Sequence, residues 1–457
     1  MQDLKLIDNK EALNRLFILI NSWLNNYRDS NHKIAFNHDV LAERIFNLLT
    51  SEKVSVVKDQ AFKNRLLQSI SFQIRLFLKV YTLNKNGNHL LLNKTLFTIG
   101  KALNSNKISG IAVSNIILFL KKNILADGGM LGKSPSDVLK VLEHTLFVFK
   151  NLNNSDLTYK SELRILVDKI IIFIKSMRYK DGGLGVFNGG YEEDSNKIDF
   201  LLSLGNINAQ SFSNLRYSGY INLSAGDKTK ILLKTNSIAT ENKSNINNNS
   251  ILSQEVLLNG ERVFVNNNKS NFLQDSKTDR SAHSTVLFFD KNNKLINMPQ
   301  ELKLQDCKVE QRVDSDWKTV LITYNSLKNN YGVVWHKSLN LAKKGSCILG
   351  EELLSFSSGN FIKKAIVKFI LHPGIIVNNI SKDEQNISLE ITNESWTFRS
   401  SRPFFINNEI YSAIKEESFP TLSINIVLDA HDKSVEWSLV QSTFLNSALQ
   451  KYSKKQA

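Results

Sequence analysis

The chain has 457 residues, 42% of them hydrophobic and 22% charged, a composition that excludes a disordered chain and leaves room for at least two cores. Lys+Arg 58 against Asp+Glu 43 leaves a net charge of +15. Either a polyanionic partner (acidic polysaccharide, anionic membrane or nucleic acid) or a coding bias toward Lys and Asn accounts for that surplus. No dense Lys/Arg run with interleaved aromatics occurs, so nucleic acid is not the favoured partner.

The apolar run Leu16–Ile20 is short and flanked by polar residues at helical spacing. It reads as one face of an amphipathic helix, and neither a signal peptide nor a membrane span is predicted anywhere. On that reading the chain stays cytoplasmic, unless its true start lies upstream. Up to about residue 200 the pattern repeats amphipathic helix, short Asn/Gly/Lys loop, helix. Leu67, Ile70, Ile74, Phe77 and Tyr81 form one stripe at steps of three and four. Leu139, Leu142, Leu146 and Phe149 form another, in a helix predicted to start after the capping sequence Pro135-Ser136-Asp137. Similar stripes over 11–26, 39–49, 90–104, 110–125 and 160–178 predict about seven helices in antiparallel hairpins. Within this array Asp127-Gly128-Gly129 and Asp181-Gly182-Gly183 each follow a helix. Paired glycines there serve as helix C-caps, or as close-approach loops that floor a cleft.

Near residue 205 the period changes. Val256–Val265 is a hairpin with Asn259-Gly260 as a type I′ turn. Strands follow at 284–289, 318–324, 331–341, 346–350, 364–371, 386–391, 395–399 and 421–428, an antiparallel β-sandwich. Thr240–Ser250 is Asn-rich and polar, a loop or lid. The organisation expected is therefore a helical domain over 1–205 and a β-sandwich domain over 206–457, with a cleft between them.

Cys307 and Cys347 are the two cysteines, and their spacing suits neither a disulfide framework nor a zinc site. Four histidines lie in the β-rich half: His283, at the mouth of the apolar run Ser284–Phe289, His336 beside Trp335, His372 at a strand end and His431 in a polar turn. None forms a metal pair at i, i+2 or i, i+4. A lone histidine is most often an ordinary hydrogen-bonded one; the functional alternatives are proton carrier, carboxylate neutraliser or ligand.

The ordered segments DGG…KSP, DGGLGVFNG, YSGY, AHST, YGVVWHKSL…GSCILGEE and FILHPGI resemble the heparinase II/III-like family over residues 20 to 430. The resemblance implies an incomplete α/α toroid followed by an antiparallel β-sandwich. It also implies a polysaccharide lyase that cleaves a uronate-containing anionic glycan by β-elimination, in the periplasm or cell envelope. Such a site neutralises the uronate carboxylate, removes the C5 proton and protonates the departing O4. By resemblance His283, Tyr220 and His336 take catalytic positions, and Asp127, Lys133, Arg178 and Asn188 face the sugar. The family's zinc position falls on Asn248, Asn266 and His283, where two neutral amides are poor ligands, so no metal is expected. Ser134, Lys133 and Ser338 also stand where the family has Asn, Arg and Arg, and Lys for Arg loses a bidentate grip on carboxylate. The alternatives are a catalytically inactive glycan-binding or cell-envelope protein that keeps the fold, and a protein-interaction module on the helical array.

Overall fold

The computed structural model describes residues 10–27, 32–51, 59–83, 89–153, 156–205, 210–226, 228–235, 250–268, 280–296, 298, 306–356, 361–392, 394–429 and 432–443. Asn248, His431 and all of the Asn-rich stretch except Ser250 lie outside them. Among the described residues, seven helices occupy the first part: α1 (Lys10–Asn26), α2 (His38–Leu49), α3 (Gln60–Leu83), α4 (Leu90–Ala102), α5 (Asn106–Asn123), α6 (Pro135–Lys150) and α7 (Leu157–Met177). Two short ones follow, α8 (Ser195–Ser203) and α9 (Lys328–Tyr331). The α6 start sits three residues earlier than the sequence suggested, because Pro135-Ser136-Asp137 form its first turn. Ser134 is the cap: its Oγ accepts from the Asp137 N–H at 3.0 Å, while the Asp137 carboxylate accepts from the Ser134 N–H at 3.1 Å. Pro135 then takes the first helical position, where its missing N–H costs nothing.

The chain forms two compact units: residues 1–123 with 141–167, and residues 124–140 with 168–457. In the first, Leu16, Ile20 and Leu24 of α1 pack with Leu48 of α2 and Phe62, Leu66 and Ile70 of α3. α4 is buried from Leu90 to Gly100, polar residues included, which makes it the central helix of this unit. Thr95 ties it to α2 by donating to the Ala42 carbonyl at 3.1 Å.

The second unit holds two antiparallel sheets. The first runs β1 (Asn214–Leu215), β2 (Tyr220–Ala225), β3 (Thr229–Lys234), β4 (Gln254–Leu258), β5 (Glu261–Val265), β11 (Ile362–Leu371), β16 (Phe419–Asp429), β15 (Phe404–Tyr411), with β6 (Val286–Asp290) also paired on β11. The second runs β12 (Ile376–Asn378), β13 (Asn386–Ile391), β14 (Glu394–Ser400), β17 (Ser434–Gln441), β10 (Cys347–Phe356), β9 (Val333–Ala342), β8 (Trp317–Tyr324), β7 (Cys307–Val313). They share one core, in which Phe264 and Phe369 of the first sheet meet Phe398 and Trp437 of the second. The fold is thus a helical-hairpin array followed by a large antiparallel β-sandwich. Asn259 (φ +50°) and Gly260 (φ +92°) have the two left-handed residues that a type I′ turn requires. Cys307 and Cys347 are not joined in a disulfide.

Candidate active site

The two Asp-Gly-Gly loops are structural copies. In each, the glycine after the aspartate has positive φ (Gly128 +84°, Gly182 +89°), and the aspartate Oδ1 accepts from the N–H two residues on (Gly129 3.3 Å, Gly183 2.8 Å). Their other carboxylate contacts differ. Asp127 Oδ2 takes the Ser218 N–H at 2.8 Å and the Ser218 hydroxyl at 3.1 Å. Asp181 takes the Arg262 guanidinium of β5 at 2.6 Å. Each loop is therefore pinned by a charge-assisted bond, buried at Asp127 and partly buried at Asp181.

The first pin fixes the turn that launches β2. Gly219 (φ +75°) turns the chain and Tyr220 enters the strand, 1% exposed, with its ring against Phe173 and Phe187. Lys234, the cross-strand partner on β3, lays its ammonium 4.0 Å from the centre of that ring and donates to the Ser218 carbonyl at 2.8 Å. Asn188 sits at φ +53°, a conformation that its short polar side chain tolerates. Its Nδ2 donates to the Tyr220 hydroxyl at 3.3 Å and to the Lys133 carbonyl at 3.2 Å, and its Oδ1 accepts from the Ser250 hydroxyl. Burial pushes the Tyr220 phenol well above its usual range, with Asp137, Asp127 and Glu255 adding to the effect. Burial also pushes the Lys234 ammonium down to about 7, against the pull of Asp127.

A second polar cluster joins this one through the segment 186–188. The Glu255 carboxylate accepts from the Tyr179 hydroxyl (3.0 Å) and from the N–H groups of Val186 (3.0 Å) and Asn266 (2.9 Å). Burial lifts it to about 7, although Arg262 and those donors oppose the rise. Glu192 accepts from the Tyr411 hydroxyl, lies 3.5 Å from His372 Nε2 and faces Arg262 at 3.6 Å. Its burial acts upward, yet His372, Arg262 and Tyr411 together hold it down at about 2. His372 thus has a structural partner, and its ring also meets Tyr411 edge-on at 5.4 Å.

Of the sequence-predicted residues, the structure brings Tyr220, Asn188 and the Lys133 backbone together. The Lys133 side chain is exposed. Asp127 is spent on Ser218, and the Arg178 guanidinium closes its own loop by donating to the Gly182 carbonyl at 2.9 Å and pairing with Asp199 at 2.7 Å. His336 lies elsewhere. Val333, Trp335, Leu339 and Leu341 of β9 enter the core, so His336 points out of the other face of the second sheet. It contacts Thr323 at 3.2 Å in an open cleft with Lys308, Glu310 and Glu351.

His283 is fully buried, and neither ring nitrogen has a hydrogen-bond partner among the described residues. Burial, then Arg280 and Lys368, push it down to about 3, so it is neutral at ordinary pH. At the implied zinc position Asn248 is outside the described residues. Asn266 already spends its Oδ1 on the Ser284 N–H at 2.9 Å, and its Nδ2 has no partner among them. Among the described residues this position offers one imidazole and one amide, with Arg280 and Lys368 as nearby cations.

Lys234, Ser250, Glu255, Arg262 and Glu192 belong to these two polar clusters and were passed over by sequence reasoning. Glu255 and Arg262 had a signal: each is a charge directly beside one of the apolar runs Val256–Leu258 and Val263–Val265, where burial requires a partner. Lys234 had none, since a lysine ending a strand is ordinary.

The family model described as "Heparinase II/III-like, C-terminal" matches residues 208–440, just over half of the chain. Among solved structures, Heparinase III is similar with a TM-score of 0.68 and 11% identity, over 95% of this chain and 74% of that one. A mutant of the heparan sulfate lyase HepC from Pedobacter heparinus is similar with a TM-score of 0.61 and 12% identity, over 96% and 75%. At such identities the structural likeness carries the fold alone. No curated protein matches the chain. With the sandwich, the paired loops and the family match in agreement, the chain belongs to the heparinase II/III-like family.

Proposed function

We propose that the protein is a polysaccharide lyase that cleaves a uronate-containing anionic glycan by β-elimination, with Tyr220 as the proton carrier and no zinc in its β-domain. The observation that carries this reading is the meeting of Asn188 Nδ2 with the Tyr220 hydroxyl under the Lys234 ammonium. A primary amide donates to a uronate carboxylate without adding charge and so draws electron density from C5. The Tyr220–Lys234 pair, having lost one proton, accepts the C5 proton. The C5–H electrons form the C4=C5 bond, the C4–O4 bond breaks, and the proton passes to O4. The net charge of +15 suits a polyanionic chain. His336 and His283 have no part in this step, and the Lys133 side chain is left to bind sugar at the rim.

The test is the ultraviolet absorbance of the unsaturated product on a panel of uronate polysaccharides. Wild-type protein yields signal on at least one, and Tyr220→Phe loses roughly a hundredfold or more. An unchanged rate in Tyr220→Phe defeats the assignment. A second reading has support in the burial of Tyr220, whose hydroxyl substrate reaches only if the covering residues part: a non-catalytic glycan-binding or cell-envelope protein. Saturable glycan binding without product on any substrate would favour it.

A further inference from the structure

The helical unit holds a cluster unrelated to the lyase reading. Among the described residues, His38, Asp39 and His89 are the one group of three His, Cys, Asp or Glu side chains whose ligand atoms converge, all within 4.8 Å of one another. The packing of α2 against α4 brings them together across about fifty residues of sequence. His38 and Asp39 open α2, and His89 immediately precedes α4.

Two details mark this as a binding site and not a chance meeting. The first is the orientation of His38. Asn37 Oδ1 accepts from the Asp39 N–H at 3.0 Å, which identifies that atom as the oxygen, and it lies 3.1 Å from His38 Nδ1. An oxygen acceptor there makes Nδ1 the protonated nitrogen and leaves the Nε2 lone pair free, as an outer hydrogen bond does for a metal-bound imidazole. The second is the spacing of the other pair. His89 Nε2 is 3.3 Å from Asp39 Oδ1, yet that oxygen is buried and has no hydrogen-bond partner among the described residues. The two atoms are close without being aligned on each other. Two donors on a tetrahedral ion with bonds of about 2.0–2.1 Å stand about 3.3–3.4 Å apart.

We propose that His38, Asp39 and His89 bind a divalent first-row transition cation of the Zn²⁺ type, which clamps the start of α2 to the start of α4. Two imidazoles and one carboxylate are a ligand set for such ions, and a water completes the fourth position. The remaining spread closes by rotation of the half-exposed His89 ring, whose side chain is 46% accessible.

The test uses untagged, full-length protein stripped with chelator and titrated with ZnCl2 by calorimetry and with CoCl2 by visible absorbance. One saturable site per chain is expected, with a tetrahedral Co²⁺ band. His38→Ala, His89→Ala and the isosteric Asp39→Asn should each weaken binding by roughly tenfold or more, with circular dichroism showing the helices intact. No saturable binding, or equal binding in all three variants, overturns the proposal.

Discussion

Lys234 has a part in the proposed chemistry that a single protonation state does not describe. Its amine and the Tyr220 phenol are neighbours, so they titrate as a pair. The fully protonated pair cannot accept a proton from the sugar. Loss of one proton gives either the neutral amine with the phenol or the ammonium with the phenolate, and both have the same proton count. Whichever form reacts, the active population appears as pH passes the first ionisation, which burial sets at about 7 on Lys234. kcat/KM is therefore expected to rise through about pH 7 to a plateau. Lys234→Arg holds a permanent cation in the same place and should carry that rise to much higher pH. A profile that is flat across pH 6–8 in the wild type, or one that Lys234→Arg leaves in place, would remove Lys234 from the reaction.

At the scale of elements, the Asp-Gly-Gly loops show why a glycine pair can be more than a helix terminator. A Cβ on Gly128 would sit 1.8 Å from the Lys169 carbonyl oxygen, at φ +84°. Gly226 has nearly the same backbone (φ +60°) but nothing within 4 Å among the described residues. Gly226→Ala should cost only the left-handed penalty, about 1 kcal/mol. Gly128→Ala adds a backbone clash and should cost about 3 kcal/mol or more. Denaturant unfolding of the two variants measures the difference, and equal losses would show that the loop accommodates the side chain. The sequence revealed these loops as a repeat, because both Asp-Gly-Gly triplets follow apolar stripes. It did not reveal what each aspartate holds, since Ser218 and Arg262 lie 91 and 81 residues away. The same division runs through the fold. Helices with three-four stripes and strands such as β9, which alternates buried and partly exposed residues, are legible locally. β2 is buried on five of its six side chains and β3 has three buried in a row, so neither carries the strict alternation by which to recognise a strand. The Asn188–Tyr220 meeting was legible only as two family positions. His336 was placed with them by motif order, whereas strand parity sends it to the opposite face of another sheet.

For the whole molecule, the buried ionisable groups make a joint statement about pH. His283, held near 3 against an ordinary 6.5, contributes stability that is lost as pH falls below about 6.5. Glu255, lifted to about 7 from 4.5, has the opposite sign: its contribution is full below 4.5 and is lost as pH rises toward 7. Between 4.5 and 6.5 the two oppose each other and the profile is nearly level on their account. Above pH 7 the lysines take over. Lys230 and Lys234 are both depressed to about 7 from 10.5 by burial, so the unfolded chain binds protons there that the folded chain does not. Stability therefore rises with pH between about 7 and 10, by at most about 1.4 kcal/mol per pH unit for each lysine. Lys230 donates to the carbonyls of Ser176 and Arg178, and Lys234 to that of Ser218, bonds that favour the ammonium and so shorten the pH range of the rise without changing its slope. The tyrosines then reverse the trend. Tyr179, Tyr220, Tyr324 and Tyr411 are all raised above 10 by burial, so their contribution falls away as pH climbs past 10. The stability maximum should accordingly lie on the alkaline side, between pH 8 and 10. Urea midpoints at unit steps from pH 6 to 11 measure it, and Lys230→Met should flatten the rise between 7 and 10. A maximum near pH 6, or a slope that Lys230→Met leaves unchanged, would mean that these ammonium groups are solvated in the folded protein.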